Sequence, residues 1–310
     1  MKKFLLHLLM FSIILYAISF IADCTISHQL RKLKSSPFAN WNDIYRGEIK
    51  SDVLILGSSR AFVQFNPRII DSCLNVNSYN LGSNGRPADA QLLKYEIYRQ
   101  QGNAKPNTIL YEIYPGTLDT SNGYERIQYI PHLKRPSLWQ KTRKMEHFSW
   151  ADCFIPCFRF LNYKEDIKHI LRKDSYYTRP ENNAYKGFQD FDKKWDGRAY
   201  ASIDSIDYKE DKQIKESFEH FLTQCKEENI QVILVKAPYY IGATKKIRNL
   251  EGMTKLYEDL AQRHHLILLD YTYDTLCYDT TKFYNATHLN REGTSLFSRK
   301  LCNDLKHYIQ

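Results

Sequence analysis

Three short runs of residues have the types and spacing of a nucleophilic serine site. Gly57-Ser58-Ser59 follows an apolar run, and a helix that begins there would direct its N–H groups toward a developing negative charge. A loop near the carboxyl end of the chain carries His288, an imidazole that can accept a proton from a serine hydroxyl. Brought together, the two side chains predict acyl transfer through a covalent intermediate.

The third run is NLGSNG at 80–85. Its two glycines have no Cβ, so backbone N–H groups there can approach a ligand closely and hold an oxyanion. Each run also has a purely structural explanation, because tight turns and helix caps are common at strand ends and a single loop histidine is most often a surface residue. Only the three runs together favour a catalytic interpretation.

Such a site needs a sheet whose strand ends meet at one edge. Five short apolar runs are predicted strands, at 52–56, 76–81, 108–113, 231–236 and 266–270. Amphipathic segments between them are predicted helices, at 87–101, 209–226 and 250–264, and a last helix is predicted after Asn290. This alternation predicts an α/β fold, a three-layer α/β/α sandwich with a parallel sheet whose site lies at the carboxyl ends of the strands.

The alternation is interrupted between about 117 and 208. This stretch is aromatic and charged, with one predicted helix at 160–172, and a long loop inside a compact domain usually has a function. We interpret it as an insertion or lid over the site. Its aromatic side chains fit either stacking on sugar rings or packing within the insertion. They are Tyr124, Tyr129, Trp139, Trp150 and Trp195.

The chain begins with an apolar segment long enough to cross a membrane. Residues 4–22 are almost unbroken apolar sequence and would extend about 28 Å as a helix, close to one bilayer core. Lys2 and Lys3 favour a cytoplasmic amino terminus, which places the bulk outside the cytoplasmic membrane, in the periplasm or at the cell surface. A cleaved signal peptide and a lipoprotein signal at Cys24 are alternatives, but Asp23 stands where the latter needs a small residue.

Composition indicates a globular chain and excludes several classes. Of 310 residues, 43% are hydrophobic and 14% aromatic, too many for a disordered chain. The net charge is +9 (44 − 35), yet basic and acidic residues alternate, so we predict solvated helix faces and no nucleic-acid partner. The predicted domains are a membrane anchor at 1–23, a juxtamembrane segment at 24–50 and one α/β domain at 51–310.

Seven cysteines lack the spacing of a metal site, because they form no CxxC pair and have no matching histidines. We predict no metal. Burial as small apolar side chains is favoured, while one or two disulfides are compatible with an oxidising compartment and their pairing stays open. The cysteines are Cys24, Cys73, Cys153, Cys157, Cys225, Cys277 and Cys302.

Taken in order, GSSR at 57–60, NLGSNG at 80–85 and NATHLN at 285–290 resemble the blocks of the SGNH, or GDSL-like, hydrolase superfamily. The resemblance covers roughly 50–310 and implies a five-stranded parallel flavodoxin-like sheet. It implies Ser59 as the nucleophile, with Ser58 in place of the block's Asp, His288 as the base and Gly85 as an oxyanion donor. It requires no cofactor.

Two positions depart from the superfamily pattern. The G-x-N-D block expected after the third strand reads YEIYPG at 111–116, so its asparagine donor is missing and Asn84 is the candidate substitute. Asn285 stands where the D-x-x-H block has aspartate. An amide there can hold the wrong imidazole tautomer, which costs about 10⁴ in rate, or it can orient His288 as asparagine does in Cys-His-Asn enzymes.

The resemblance and the anchor together predict a membrane-anchored, SGNH-type serine ester hydrolase or O-acyltransferase. Envelope members related to D-alanine transfer onto teichoic acids look similar in the degenerate third block. We therefore expect an acylated envelope glycan or a small ester as substrate and an envelope acylation protein as a partner. The alternative is a catalytically weakened domain that binds glycan or acts as a scaffold in an envelope modification or export system.

Overall fold

The computed structural model describes residues 1–85, 88–119, 125–173, 184–197 and 205–309. The chain forms two compact units. The N-terminal unit comprises Met1–Tyr45 and Glu125–Glu181, and the sheet unit comprises Arg46–Tyr124 and Asn182–Gln310.

The sheet unit is built on five parallel strands. They are β1 (Val53–Leu56), β2 (Ser78–Asn80), β3 (Thr108–Glu112), β4 (Gln231–Lys236) and β5 (Ile267–Asp270). Their order is β2-β1-β3-β4-β5, and every neighbouring pair is parallel. This is the flavodoxin-like order, so the predicted sheet is confirmed. The strand β2 is shorter than the predicted 76–81, because only Ser78–Asn80 pair with β1.

The helices between these strands also follow the predicted alternation. In chain order the α-helices of the described ranges are α1 (Lys2–Leu30), α2 (Ala39–Arg46), α3 (Ser59–Gln64), α4 (Pro67–Leu74), α5 (Ala88–Gln100), α6 (Pro136–Met145), α7 (Trp150–Phe154), α8 (Lys164–Arg172), α9 (Lys212–Glu227), α10 (Ile241–Thr244), α11 (Leu250–His264) and α12 (Arg291–Leu305). The helix predicted at 160–172 consists of the 3-10 helix Phe158–Tyr163 followed by α8. A short antiparallel pair, β6 (Phe283–Asn285) and β7 (His288–Leu289), precedes α12.

Two groups of helices cover the two faces of the sheet. Alternate strand residues point to opposite faces. Val53 and Ile55 of β1 belong to the core that includes Phe297 of α12, whereas Tyr111 of β3 packs edge-on against Phe218 of α9. The helices α3 and α4 pack against α12, and α5 and α11 pack against α9. The predicted three-layer α/β/α sandwich is therefore confirmed.

One disulfide links two helices of the same layer. It joins Cys73 of α4 to Cys302 of α12, a pairing that the sequence left open. Cys153, Cys225 and Cys277 are buried free thiols, in agreement with the predicted role as small apolar side chains.

The N-terminal unit contains the apolar leader. Its helix α1 continues to Leu30, beyond the predicted anchor boundary at residue 23, and the large apolar side chains up to Ile21 are exposed. The helix is long and apolar enough to cross a membrane, a property that signal sequences share. Residues 125–173 of the predicted insertion fold in this unit, while 184–197 and 205–208 belong to the sheet unit. The lid role of the insertion stays a prediction.

Candidate active site

Ser59 and His288 face each other at the carboxyl edge of the sheet. Ser59 is the first residue of α3, which follows β1, and Ser58 caps this helix by accepting a hydrogen bond from the N–H of Arg60. His288 begins β7, just before Asn290, which caps α12. The Ser59 Oγ lies 2.6 Å from His288 Nε2. The fold thus brings the predicted nucleophile and base, 229 positions apart in the chain, within hydrogen-bond distance.

Asn285 orients His288 through its side-chain oxygen. The Oδ1 atom lies 2.9 Å from His288 Nδ1 and accepts a hydrogen bond from the backbone N–H of Thr287 at 3.0 Å. Because a backbone N–H can only donate, the atom that faces the imidazole is the amide oxygen, and Nδ1 must carry the proton. Nε2 is then unprotonated, which is the tautomer that can accept the proton of Ser59.

Two further side chains and one charge act on the imidazole. Thr287 Oγ1 lies 3.0 Å from Nδ1, and the Tyr284 ring stacks on the imidazole with centroids 5.3 Å apart. His288 is half-buried, and burial, followed by the positive charge of Arg60, lowers its pKa to about 3. The imidazole is therefore neutral near pH 7, as a general base must be.

A buried ion pair ties the serine turn to the neighbouring strand. Arg60 donates from Nε to Glu112 Oε1 at 2.8 Å, and Glu112, the last residue of β3, is fully buried. The other carboxylate oxygen of Glu112 accepts hydrogen bonds from the N–H and the Oγ–H of Ser58, at 2.9 and 2.7 Å. Charge-assisted hydrogen bonds of this kind are strong and directional, so they fix the turn from which Ser59 projects.

The guanidinium of Arg60 also contacts two tyrosine rings. Its central carbon lies 3.9 Å from the ring centroid of Tyr114 and 4.8 Å from that of Tyr239, and cation–π contacts stabilise a buried cation. The sequence interpretation missed this cluster. Two signals could have identified it: an arginine directly after the candidate serine, and a carboxylate, Glu112, at the end of an otherwise apolar strand.

The turn after β2 packs closely against α3. Asn80 donates from Nδ2 to the backbone oxygens of Ala61 and Phe65 and accepts the N–H of Gly82 at Oδ1. A Cβ on Gly82 would lie 2.4 Å from the backbone nitrogen of Phe62. This close approach requires glycine, and it holds the turn beside the helix that begins with Ser59.

The predicted oxyanion donors Gly85 and Asn84 lie further along the same turn, where Gly85 has a left-handed conformation with φ +57°. The N–H groups of Gly82 and Ser83 already donate to Asn80 Oδ1 and to the Gly57 oxygen. Within this turn, Asn84 and Gly85 thus stay the candidates, and their role as oxyanion donors stays a prediction.

A small cavity lies at the carboxyl ends of β3 and β4. Tyr114 and Tyr239, the two rings that contact Arg60, are among its lining residues, together with Ile113 and Lys236. The Lys236 ammonium is paired with Asp270 at 2.6 Å, so its charge is already neutralised.

The predicted sugar-stacking residues are divided between the two units. Tyr124 lies outside the described residues. Tyr129 is buried in the N-terminal unit, whereas Trp150 of that unit is exposed. Trp195 belongs to the sheet unit and packs edge-on against Tyr240. Within the described ranges, no group of three or more His, Cys, Asp or Glu side chains could hold a metal ion.

Comparison with known proteins yields similarities in structure alone. No family model matches this chain, and no curated protein matches it. A proposed lipolytic protein of the G-D-S-L family from Desulfitobacterium hafniense is 10% identical with a TM-score of 0.42, over 82% of this chain and 99% of that one. A proposed acylhydrolase from Bacteroides fragilis is 12% identical with a TM-score of 0.43, over 85% and 94%.

A third similar structure is an acetylxylan esterase from Geobacillus stearothermophilus, 10% identical with a TM-score of 0.41, over 83% of this chain and 95% of that one. At such identities and TM-scores, these similarities do not by themselves define what this chain does. The function has to be argued from its own side chains.

Proposed function

We propose that this chain is an SGNH-type serine ester hydrolase or O-acyltransferase. The observation that carries the proposal is the hydrogen-bonded series from Ser59 to His288 to Asn285, in which the imidazole has the tautomer of a general base. The order of the three sequence blocks along a sheet of flavodoxin-like order also supports it.

In the proposed reaction, the Ser59 Oγ attacks the ester carbonyl carbon while His288 Nε2 takes the hydroxyl proton. The N–H groups of Ser59 and Gly85 hold the oxyanion, with Asn84 as a further donor. His288 then protonates the departing alcohol as the C–O bond breaks. Water or a sugar hydroxyl finally attacks the acyl-enzyme, and Ser59 regains its proton.

We place this reaction outside the cytoplasmic membrane, with α1 as an uncleaved anchor. Lys2 and Lys3 before the apolar run support this orientation, and the Cys73–Cys302 disulfide supports an oxidising compartment. Anchoring next to the envelope supports an acylated envelope glycan as the substrate class and an envelope acylation protein as a partner.

The amide at position 285 favours a second candidate, a weakened domain that binds glycan or acts as a scaffold. Asn285 orients the imidazole but carries no charge, so it stabilises the imidazolium that forms during attack less than a carboxylate would. In this candidate the glycan still binds beside Ser59 and His288 but is not turned over.

The test measures acetate release from an acetylated oligosaccharide by the full chain in detergent. We expect Ser59→Ala and His288→Gln each to lose about 10³-fold or more of the activity. Ser295→Ala is the matched control, since the hydroxyl of Ser295 donates to the Arg291 oxygen of its own helix, one turn earlier. Adding an unacetylated acceptor sugar separates transfer from hydrolysis. Tight glycan binding without acetate release would reject the enzyme in favour of the second candidate.

A further inference from the structure

A group of exposed apolar side chains lies on residues 150–161 of the N-terminal unit. This stretch, called here the aromatic segment, comprises α7, a short turn and the start of the 3-10 helix Phe158–Tyr163. Clusters of exposed apolar side chains mark binding surfaces, whereas single ones do not. The exposed fractions are 64% for Trp150, 52% for Phe154, 41% for Ile155, 39% for Phe158 and 60% for Leu161.

A buried ionic cluster fixes the aromatic segment to α1. Arg159 donates from both Nη atoms to the Asp23 carboxylate, at 2.7 and 2.9 Å, and Lys134 donates to the same carboxylate at 2.9 Å. Asp23 is 2% exposed and Arg159 3%. Separating them would leave buried charges without partners, which is strongly unfavourable. The segment and α1 therefore keep a fixed relative position.

Cys157 shows at which level of α1 the aromatic segment lies. Its backbone N–H donates to Asp23 Oδ2 at 2.9 Å, and its Sγ lies 3.3 Å from the backbone oxygen of Ser19. Ser19 and Asp23 delimit the last turn of the apolar run. When α1 crosses a bilayer, this turn lies where the hydrocarbon core meets the headgroups.

We propose that the aromatic segment is a second membrane contact, which inserts Trp150, Phe154 and Leu161 into the outer leaflet beside α1. The inference rests on the proposed anchoring by α1. Exposed aromatic and aliphatic side chains at the level of the headgroups are typical of interfacial elements.

Two observations select lipid as the occupant of this surface. Exposed apolar side chains lie on the aromatic segment and along α1 up to Ile21, and Cys157 contacts α1 at the level of Ser19. In addition, the Lys134 ammonium lies 5.7 Å from the Phe20 ring centroid while it pairs with Asp23. A lysine that lies between an apolar ring and a carboxylate is positioned for the headgroup region of a bilayer.

The test is quenching of tryptophan fluorescence in the full chain reconstituted into phosphatidylcholine vesicles with brominated acyl chains. The signal of Trp150 is the difference between the wild type and Trp150→Phe. We expect bromine near the headgroup end of the chains to reduce this signal about twofold or more, and bromine near the bilayer centre to reduce it less. Trp195→Phe is the matched control, because Trp195 packs against Tyr240 in the sheet unit. The signal of Trp195, which is the difference between the wild type and Trp195→Phe, should not be reduced by bromine at either depth.

Carbonate extraction of the same vesicles tests the anchoring by α1 separately from the second membrane contact. If the chain stays in the vesicles but the Trp150 signal is not quenched, the second contact is wrong and the anchor stands. If carbonate releases the chain, the anchor itself is wrong. If two copies of the chain crosslink through the aromatic segment and the Trp150 signal is not quenched, the surface binds a second copy. That result would overturn the lipid contact. Equal melting temperatures of Trp150→Phe and the wild type verify that the variant is folded.

Discussion

At position 285 an amide oxygen takes the place of the carboxylate that usually pairs with a catalytic imidazole. The backbone N–H of Thr287 decides which end of the amide faces His288, and so it decides the imidazole tautomer. The pattern D-x-x-H with Asn in the first position could not show this, because the outcome depends on a backbone group two residues further on. The candidate serine, histidine and asparagine could all be predicted from the sequence, but the hydrogen bonds that join them could not.

Replacing Asn285 by aspartate tests the cost of the missing charge. Because the tautomer is already correct, we expect Asn285→Asp to raise kcat/KM for an aryl acetate only about 10- to 100-fold, far less than the 10⁴-fold effect of a wrong tautomer. Asn285→Leu, which removes the acceptor, should lower kcat/KM instead. A gain near 10⁴-fold in the aspartate variant would mean that the natural amide does not hold the productive tautomer.

The pH profile tests the environment of His288. Its pKa is lowered to about 3, so the imidazole stays neutral and able to accept a proton as the pH falls well below its ordinary pKa of 6.5. We therefore expect kcat/KM to stay level down to about pH 5. An acidic limb centred near pH 6.5 would contradict the lowered pKa.

The contribution of Arg60 to that pKa has its own test. Removing the positive charge of Arg60 makes the imidazolium less unfavourable, so the pKa of His288 should rise. The acidic limb of the kcat/KM profile should then move to higher pH. The double variant Arg60→Met with Glu112→Gln avoids leaving a buried carboxylate without its partner. Glu112→Gln alone is the control: its amide oxygen can still accept a hydrogen bond from Arg60, and the positive charge stays in place, so the limb should not move to higher pH.

Among the elements, the β1–α3 connection requires glycine. Gly57 has φ +137°, and a Cβ there would lie 2.6 Å from the Glu112 Cβ. We expect Gly57→Ala to lower the free energy of unfolding by about 2 kcal/mol or more, from backbone strain and the clash together, as measured by urea denaturation.

A glycine with free space around its Cα provides the control for Gly57→Ala. Gly252 lies in α11, and an added Cβ would meet nothing within 4 Å. Since alanine is the better helix former by roughly 0.5 to 1 kcal/mol, Gly252→Ala should leave the protein as stable or slightly more so. If Gly57→Ala behaves like Gly252→Ala, the tight connection between β1, α3 and β3 is not as described.

The elements themselves were largely predictable. Buried parallel strands appear as short continuous apolar runs, and the helices between them show helical spacing of apolar residues, so the strands of the sheet and α5, α9, α11 and α12 follow from the sequence. Apart from the helix predicted at 160–172, the region 125–173 was not predictable in the same way. Its side chains pack against a helix more than a hundred residues earlier, as Arg159 does on Asp23, and such long-range contacts leave no local periodicity.

At the scale of the whole molecule, the disulfide gives a direct test of the compartment. Cys73 and Cys302 are paired, and the other five cysteines are free. Protein isolated from its native membrane and denatured without reductant should therefore take up five alkyl groups, and seven after reduction, as read by intact mass. Seven groups before reduction would indicate a reducing compartment and would argue against the proposed placement outside the cytoplasm.

The central claim is that Ser59 is a nucleophile activated by His288. The most direct measurement is labelling of the full chain in detergent with a fluorophosphonate, which phosphonylates activated serines, followed by peptide mapping. We predict a label on Ser59 in the wild type and no label in Ser59→Ala or His288→Gln. An unlabelled wild type, or a label that persists in Ser59→Ala, would contradict the assignment.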